Sequence, residues 1–240
     1  LNVKPLFERV KPILDAPLEH SEDASDPGVI VGNVELRNIL FGYDKGASPI
    51  LNDLSIEAQR GEFIALVGPS GAGKSTIVRL LLGFDSPWSG SVFVDGKDVS
   101  QIDRRAMRRQ FGVVLQNGRV LAGSIFHNIA AGSSVTRDEA REAARMAGLS
   151  DDIDAMPMGL DTFLNEGAST LSGGQRQRLM IARAMVRKPS VVIFDEATSA
   201  LDNRTQAIVS ESLDRISCTR IVIAHRLSTI VQADRIYVLA

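Results

Sequence analysis

The residues whose types and spacing carry the most chemistry are Gly68-Pro69-Ser70-Gly71-Ala72-Gly73-Lys74-Ser75, followed by Thr76. The run fits G-x-x-x-x-G-K-[ST], a loop that holds a polyphosphate with its own backbone. Glycines at 68, 71 and 73 allow a tight turn and let an anion approach with no Cβ in the way. Backbone N–H groups then form a nest around the phosphate oxygens, reinforced by the positive end of the helix that follows. Lys74 can reach the β- and γ-phosphates, and the Ser75 hydroxyl can ligate Mg²⁺. The expected nucleotide-binding set is therefore Gly68, Ser70, Gly71, Ala72, Gly73, Lys74, Ser75 and Thr76.

Such a loop needs a strand entering it and a helix leaving it. Glu62 to Val67 reads as a buried strand, and Ile77, Val78, Leu80, Leu81 and Leu82 read as the helix. The last third of the chain alternates in the same way. Leu179, Ala182, Met185 and Val186 mark a helix stopped by Pro189, and Val191 to Phe194 is an apolar strand closing on Asp195-Glu196. Asp202 can cap a helix through Ile208, Val209, Leu213 and Ile216. Ile221 to Ala224 is a further buried strand ending at His225, followed by a short helix near Leu227 to Val231 and a strand from Arg235 to Leu239.

Unbroken apolar strands alternating with helices predict an α/β fold with a parallel sheet covered on both faces, its chemistry at the carboxyl ends of the strands. The loop at 68–75, Gln116 at the end of Phe111 to Leu115, Asp195-Glu196 and His225 all fall at such ends. Cleaving a phosphoanhydride needs charge neutralisation and an oriented water. Asp195 is suited to the Mg²⁺ shell, Glu196 to polarising the water, Gln116 to bonding both without added charge, and His225 to donating to the γ-phosphate. Each alone has a plain structural reading as cap, loop amide or core histidine. Their shared position at neighbouring strand ends favours one site.

The 240 residues suffice for a sizeable core, in one domain or a domain with a subdomain. A formal charge of −2 gives no global electrostatic reason to expect nucleic acid or anionic lipid. The single cysteine, Cys218, excludes an internal disulfide and fits a reducing compartment. No apolar run approaches the ~18 residues that span a bilayer, so the stretch is expected to be soluble by itself. Leu1 in place of Met, and an apolar run reaching Ala240, suggest a piece of a longer polypeptide.

Residues 1–30 differ from the rest. Pro5 to Leu14 has the spacing of a short amphipathic helix with Leu6, Val10 and Ile13 on one face, and Asp15 to Gly28 reads as an acidic linker, composition alone fitting a disordered chain end equally well. From Val31 the pattern becomes strand-like, with Val34 and Leu36 alternating with polar residues and Ile39 to Tyr43 leading to a turn. Further strands near Leu54 to Ala58 and at Ser91 to Val94 are enough for a small antiparallel sheet. Tyr43 can stack on a base or sit half-buried in that sheet. Arg104, Arg105, Arg108 and Arg109 read first as a solvated helix face and second as a phosphate contact. Residues 117–170 show capping-box character at Thr136-Arg137-Asp138-Glu139 and no convincing strand, hence a mainly helical insertion.

Leu171-Ser172-Gly173-Gly174-Gln175 opens the helix that ends at Pro189 and forms a second anion loop. One nucleotide has no use for two such loops in one subunit, but a two-fold dimer can supply one from each partner. With the phosphate loop, LSGGQ, Asp195-Glu196, the Ser199-Ala200-Leu201-Asp202 turn and His225 in this order, residues 31–240 resemble the ATP-binding cassette family. The resemblance implies a RecA-like P-loop NTPase core with a mainly parallel sheet, a small antiparallel β subdomain, and a helical subdomain at about 117–175 carrying the signature. It makes Tyr43 the adenine-stacking residue. It brings Ser172, Gly173, Gly174 and Gln175 to ATP on the opposite protomer, with Asp202 at the interface.

The implied activity is Mg-ATP hydrolysis. Glu196 would be the base, His225, Lys74 and Gln116 its catalytic companions, and Ser75, Gln116 and Asp195 the metal ligands. Within the family, the chain looks like exporters whose transmembrane domain precedes the ATPase on the same polypeptide. Leu6-Phe7-Glu8-Arg9-Val10 would link the two, at the cytoplasmic face of the cell's inner membrane. Asn165-Glu166-Gly167, which lacks the group's usual Val-Gly-Glu, would touch the membrane part. Leu115 to Arg119 and Arg204 to Val209 look like bacterial peptide or bacteriocin exporters. The alternative, a soluble cassette ATPase acting on nucleic acid or the ribosome, would need a coiled-coil insertion or a second cassette, and neither is in this stretch.

Overall fold

The computed structural model describes residues 4–15, 24–116, 118–167, 170–195, 201–224 and 227–240. The chain runs through α1 (Lys4–Leu14), β1 (Val34–Phe41), β2 (Leu51–Ala58) and β3 (Phe63–Val67) before α2 (Lys74–Leu81). It continues with β4 (Ser89–Val94), β5 (Lys97–Asp98), α3 (Arg104–Arg108) and β6 (Phe111–Val114). A largely helical stretch holds β7 (Gly123–Ser124), α4 (Ile125–Ala130), α5 (Arg137–Met146), α6 (Ser150–Asp154) and β8 (Phe163–Leu164). The last third alternates α7 (Gly173–Met185), β9 (Val191–Asp195), α8 (Asn203–Ile216), β10 (Thr219–Ile223), α9 (Leu227–Ile230) and β11 (Arg235–Val238).

The apolar strands assemble as expected into one parallel sheet, in the order β11-β3-β10-β9-β6. Period-two alternation sends their side chains to opposite faces. Ile64, Leu66, Val191, Ile193, Ile221 and Ile223 pack with α2 and the antiparallel sheet. Phe63, Val192, Phe194 and Val222 pack with residues of α4, α5, α7 and α8. Each such residue is almost fully buried, contributing about 1.5–3 kcal/mol. Two cores on one sheet explain why these strands show no polar alternation. Cys218 lies inside the second core, where burial pushes its thiol up to about 11 and leaves it inert.

The antiparallel sheet runs β2-β1-β4-β5. The strand expected between Val31 and Tyr43 forms as β1, with a register shift between Leu36 and Ile39. Asn38 and Asp53 face each other there with positive φ (49° and 52°), joined by an Asn38 Nδ2–Asp53 Oδ1 bond of 3.0 Å. Short polar side chains tolerate that conformation, so the strand bends without breaking. β2 begins at Leu51, earlier than its apolar pattern indicates, because Leu51 pairs with Phe41.

In the helical stretch, the Thr136–Glu139 capping box forms, with Thr136 N–H donating to Glu139 Oε2 at 2.7 Å. The expectation of no strand is corrected: Gly123 and Ser124 pair antiparallel with Leu164 and Phe163. Two residues per strand are too few for periodicity to register. Arg104 donates to Gly83 O (3.1 Å) and Arg108 to Leu82 O (2.9 Å), while Arg108 lies over the Phe84 ring. These two cations cap the carbonyl end of α2, which favours the structural reading of the arginine cluster.

Residues 25–30 are held against the domain. Ser25 pairs its backbone with Gln101 O (3.0 Å) and Asp103 N (2.8 Å), and Gln110 bonds both Ile30 N (2.8 Å) and Gly28 O (2.7 Å). On α1, Phe7, Val10 and Ile13 are exposed.

Thr219, at the start of β10, is completely buried. Its hydroxyl accepts from Gly61 N (3.0 Å) and donates to Gly32 O (2.7 Å), tying the entry turns of β1 and β3 to the sheet. Thr219→Val keeps the shape but strands a buried donor and acceptor. It should cost about 1–3 kcal/mol in urea unfolding with an unchanged m-value. Parent-like stability would show that these bonds hold nothing.

Candidate functional site

The turn between β3 and α2 is built from backbone conformations that side chains resist. Gly73 caps α2 at φ 88°, and a Cβ there would meet Leu51 Cδ2 at 2.7 Å and Ile50 Cγ2 at 3.0 Å. Gly68, at φ 154°, lies against Leu239, whose carbonyl oxygen would be 2.5 Å from an added Cβ. No side chain caps the N-terminus of α2, so its first N–H groups point into a cleft. That cleft, of about 380 Å³, is lined by Tyr43, Ile50, Ser70, Gly71, Gly73, Lys74, Ser75, Thr76, Gln116, Asp195 and Ile223.

Most residues expected at one site therefore meet. Lys74 is 7% exposed, and its Nζ donates to Gly68 O and Pro69 O, both at 2.8 Å, which aims the ammonium along the loop rather than into the core. The Ser75 hydroxyl donates to Asp195 Oδ2 at 3.0 Å, joining the helix start to the end of β9. Tyr43, 62% exposed, is not the half-buried sheet tyrosine of the plainer reading. Its hydroxyl bonds Thr76 Oγ1 at 3.3 Å and its ring meets Phe41 edge-on at 5.3 Å. A hydroxyl, a carboxylate and the Gln116 amide around one cleft are hard oxygen donors, which suit Mg²⁺.

The signature residues stand apart: none of Ser172, Gly173, Gly174 and Gln175 lines that cleft. Ser172 caps α7 in a box with Gln175, its Oγ accepting from Gln175 N at 3.1 Å and its N–H donating to Gln175 Oε1 at 2.8 Å. The hydroxyl proton is left to donate elsewhere. Gln175 is anchored to Asp152 (2.7 Å), which also pairs with Arg178 (2.7 Å). Asp202 caps α8 by accepting from Thr205 N (2.7 Å), and this bond holds its carboxyl below the usual range. Glu196 and His225, with Ser199 and Ala200 of the turn, lie outside the described residues.

Three contributors escaped the sequence reading. Ile50 and Ile223 line the cleft as apolar walls; an exposed isoleucine after a proline and one more residue in an apolar strand give no signal of that role. Asp152 could be found only by knowing that α6 packs beside α7.

A sequence model described as ABC transporter matches residues 51–199. The alpha-hemolysin translocation ATP-binding protein HlyB of Escherichia coli O157:H7 is 43% identical over 235 residues, 97% of this chain and 33% of that protein. An ATM1-type heavy metal exporter of Novosphingobium aromaticivorans is 41% identical over 232 residues, 95% of this chain and 38% of that one. A solved bacterial Atm1-family ABC exporter with ATP bound superposes with a TM-score of 0.93 at 39% identity, covering 99% of this chain and 42% of that chain. The chain thus spans about a third of the length of the curated relatives it matches. With more than half of its residues inside the family's match and the cleft built around the loop at 68–75, the chain belongs to the ATP-binding cassette transporter family, as an ATPase domain of it.

Proposed function

We propose that two copies of this chain close head to tail around two Mg-ATP molecules, and that closing and reopening drive export through a membrane domain of the same polypeptide. The carrying observation is the separation within one chain. Lys74, Ser75, Gln116 and Asp195 share a cleft, while Ser172 to Gln175 lie outside it. A second anion loop with no nucleotide of its own fits a partner's nucleotide.

In this reading the backbone at 68–76 and Lys74 hold the phosphates, and Tyr43 offers its exposed ring to adenine. Ser75, Gln116 and Asp195 would hold Mg²⁺, which when bound neutralises charge on the phosphate oxygens. Gln116 orients the attacking water, Glu196 accepts its proton, and Lys74 and His225 donate to the γ-phosphate as negative charge gathers on it. Across the interface the Ser172 hydroxyl donates a hydrogen bond to the same phosphate, with Gly173, Gly174 and Gln175 presenting backbone around it and Asp202 abutting the partner. Among the described residues no helix is long and apolar enough to cross a membrane. As an ATPase domain related to exporters, the chain would work at the cytoplasmic face, on a membrane part reached through Leu6 to Val10.

A peptide or bacteriocin remains the proposed cargo, and the toxin translocator among the relatives supports it. That the heavy metal exporter is about as similar to this chain argues that cargo is chosen outside the stretch these proteins share.

Lys74→Ala and Ser172→Arg should each abolish turnover. Mixed in equal amounts they should recover about a quarter of the parent rate, since half of randomly paired dimers carry one intact site. Full turnover by Ser172→Arg alone at saturating ATP would overturn the shared site. Tyr43→Ala should raise the ADP Kd in calorimetry by about 5- to 150-fold, the worth of one stacked base. An unchanged Kd would remove Tyr43 from the adenine site.

A further inference from the structure

The segment following Gln116 is fastened by a polar pair, the buried Asn128 and the half-buried Arg183. Asn128 of α4 is completely buried and donates through Nδ2 to Leu121 O (2.9 Å) and Ser124 O (3.1 Å). Its Oδ1 accepts from Leu121 N (2.9 Å) and from Arg183 Nη2 (2.7 Å). Arg183 lies on α7, the helix that Ser172 opens. It donates further to Asn128 O (Nε, 2.8 Å) and Arg119 O (Nη1, 3.1 Å).

Two more contacts mark the same joint. A Cβ on Gly118 would meet Met180 Sδ at 2.6 Å, so the backbone at Gly118 lies close against the side chain of Met180 on α7. Val120 O accepts from Gly167 N at 3.3 Å, which brings in the loop at 165–167.

All three acceptors of Arg183 are uncharged, and burial lowers the affinity of its guanidinium for the proton. An apolar side chain would fill such a place at less cost to stability. The fork, by contrast, reaches three oxygens on two separate pieces of backbone and one side chain, which is a means of fixing position.

We infer that Arg183 is a positioning residue that locks the loop starting at Gln116 to the helix opened by Ser172, so that both meet or leave a nucleotide as one body. The inference rests on the roles proposed above for Gln116 and Ser172. Arg183 does not line the cleft, so phosphate binding by the loop at 68–75 is independent of it.

The test is a double-mutant cycle on steady-state ATP turnover by the purified chain: parent, Arg183→Lys, Gln116→Ala and both together. A lysine ammonium cannot span the three acceptors. Arg183→Lys should unfold as cooperatively as the parent and bind ADP within about twofold, yet lose roughly 10- to 100-fold in kcat, the cost of a misplaced group. Combined with Gln116→Ala it should cost nothing further. If the two losses multiply, Arg183 acts apart from Gln116 and the inference falls while the roles of Gln116 and Ser172 stand. If Gln116→Ala alone turns over normally, the reading of Gln116 itself falls and takes the inference with it. Should Arg183→Lys not fold, Asn128→Asp reads the joint from its other end, since it keeps Oδ1 for Arg183 and loses both donors to the loop. The same lack of additivity with Gln116→Ala is expected, and multiplying losses there overturn the inference.

Discussion

A loop that binds phosphate with its backbone must leave N–H groups unpaired until the anion arrives, in a conformation side chains oppose. That demand cannot be met by the loop alone. At Gly73 the left-handed turn brings the chain within van der Waals reach of Ile50 and Leu51, and at Gly68 it rests on the carbonyl of Leu239. Two separate stretches of chain, at 50–51 and at Leu239, therefore hold one turn. Behind them β3 lies between β11 and β10 in the parallel sheet, with Ile64, Ala65 and Leu66 fully buried. The two cores on either face of that sheet fix β3, and with it the entry to the turn.

The two helix starts that serve phosphate in this account are prepared differently. α2 has no side-chain cap, whereas α7 is closed on itself by Ser172 and Gln175. A helix end that already has its cap can sit in water without cost when no nucleotide is present, while its hydroxyl proton and glycine backbone remain on offer. The arrangement suits a surface that meets its ligand only when a partner brings it. Asp152 and Arg178 then fix the orientation of that end from below.

Much of this was legible in the residues because the motifs are local. The phosphate loop, the capping box at Thr136 and the cap at Asp202 each depend on spacings of a few residues, and such spacings survive in a linear string. The parallel strands announced themselves because burial on both faces removes polar alternation. What escaped depends on tertiary neighbours. The ladder of Gly123 and Ser124 with Phe163 and Leu164 joins short pieces far apart in the chain. The bend of β1 at Asn38 involves Asp53 opposite it. Asn128 and Arg183 look like an ordinary helix amide and a solvated cation until α4 and α7 are seen to share the loop after Gln116.

The central claim is that the site is completed by a second copy of the chain and is opened by hydrolysis. Glu196→Gln tests it most directly, because it removes the proposed proton acceptor, and with it a negative charge from the proposed site, while leaving the loop at 68–75 unaltered. Loss of a general base costs ~10²–10⁴-fold in rate, so ATP should stay uncleaved and hold the closed pair together. Light scattering over a range of protein concentrations should show the mass of Glu196→Gln double on adding Mg-ATP, with little change for the parent. A variant that remains monomeric with ATP bound at every concentration, or that turns ATP over at the parent rate, would contradict the account.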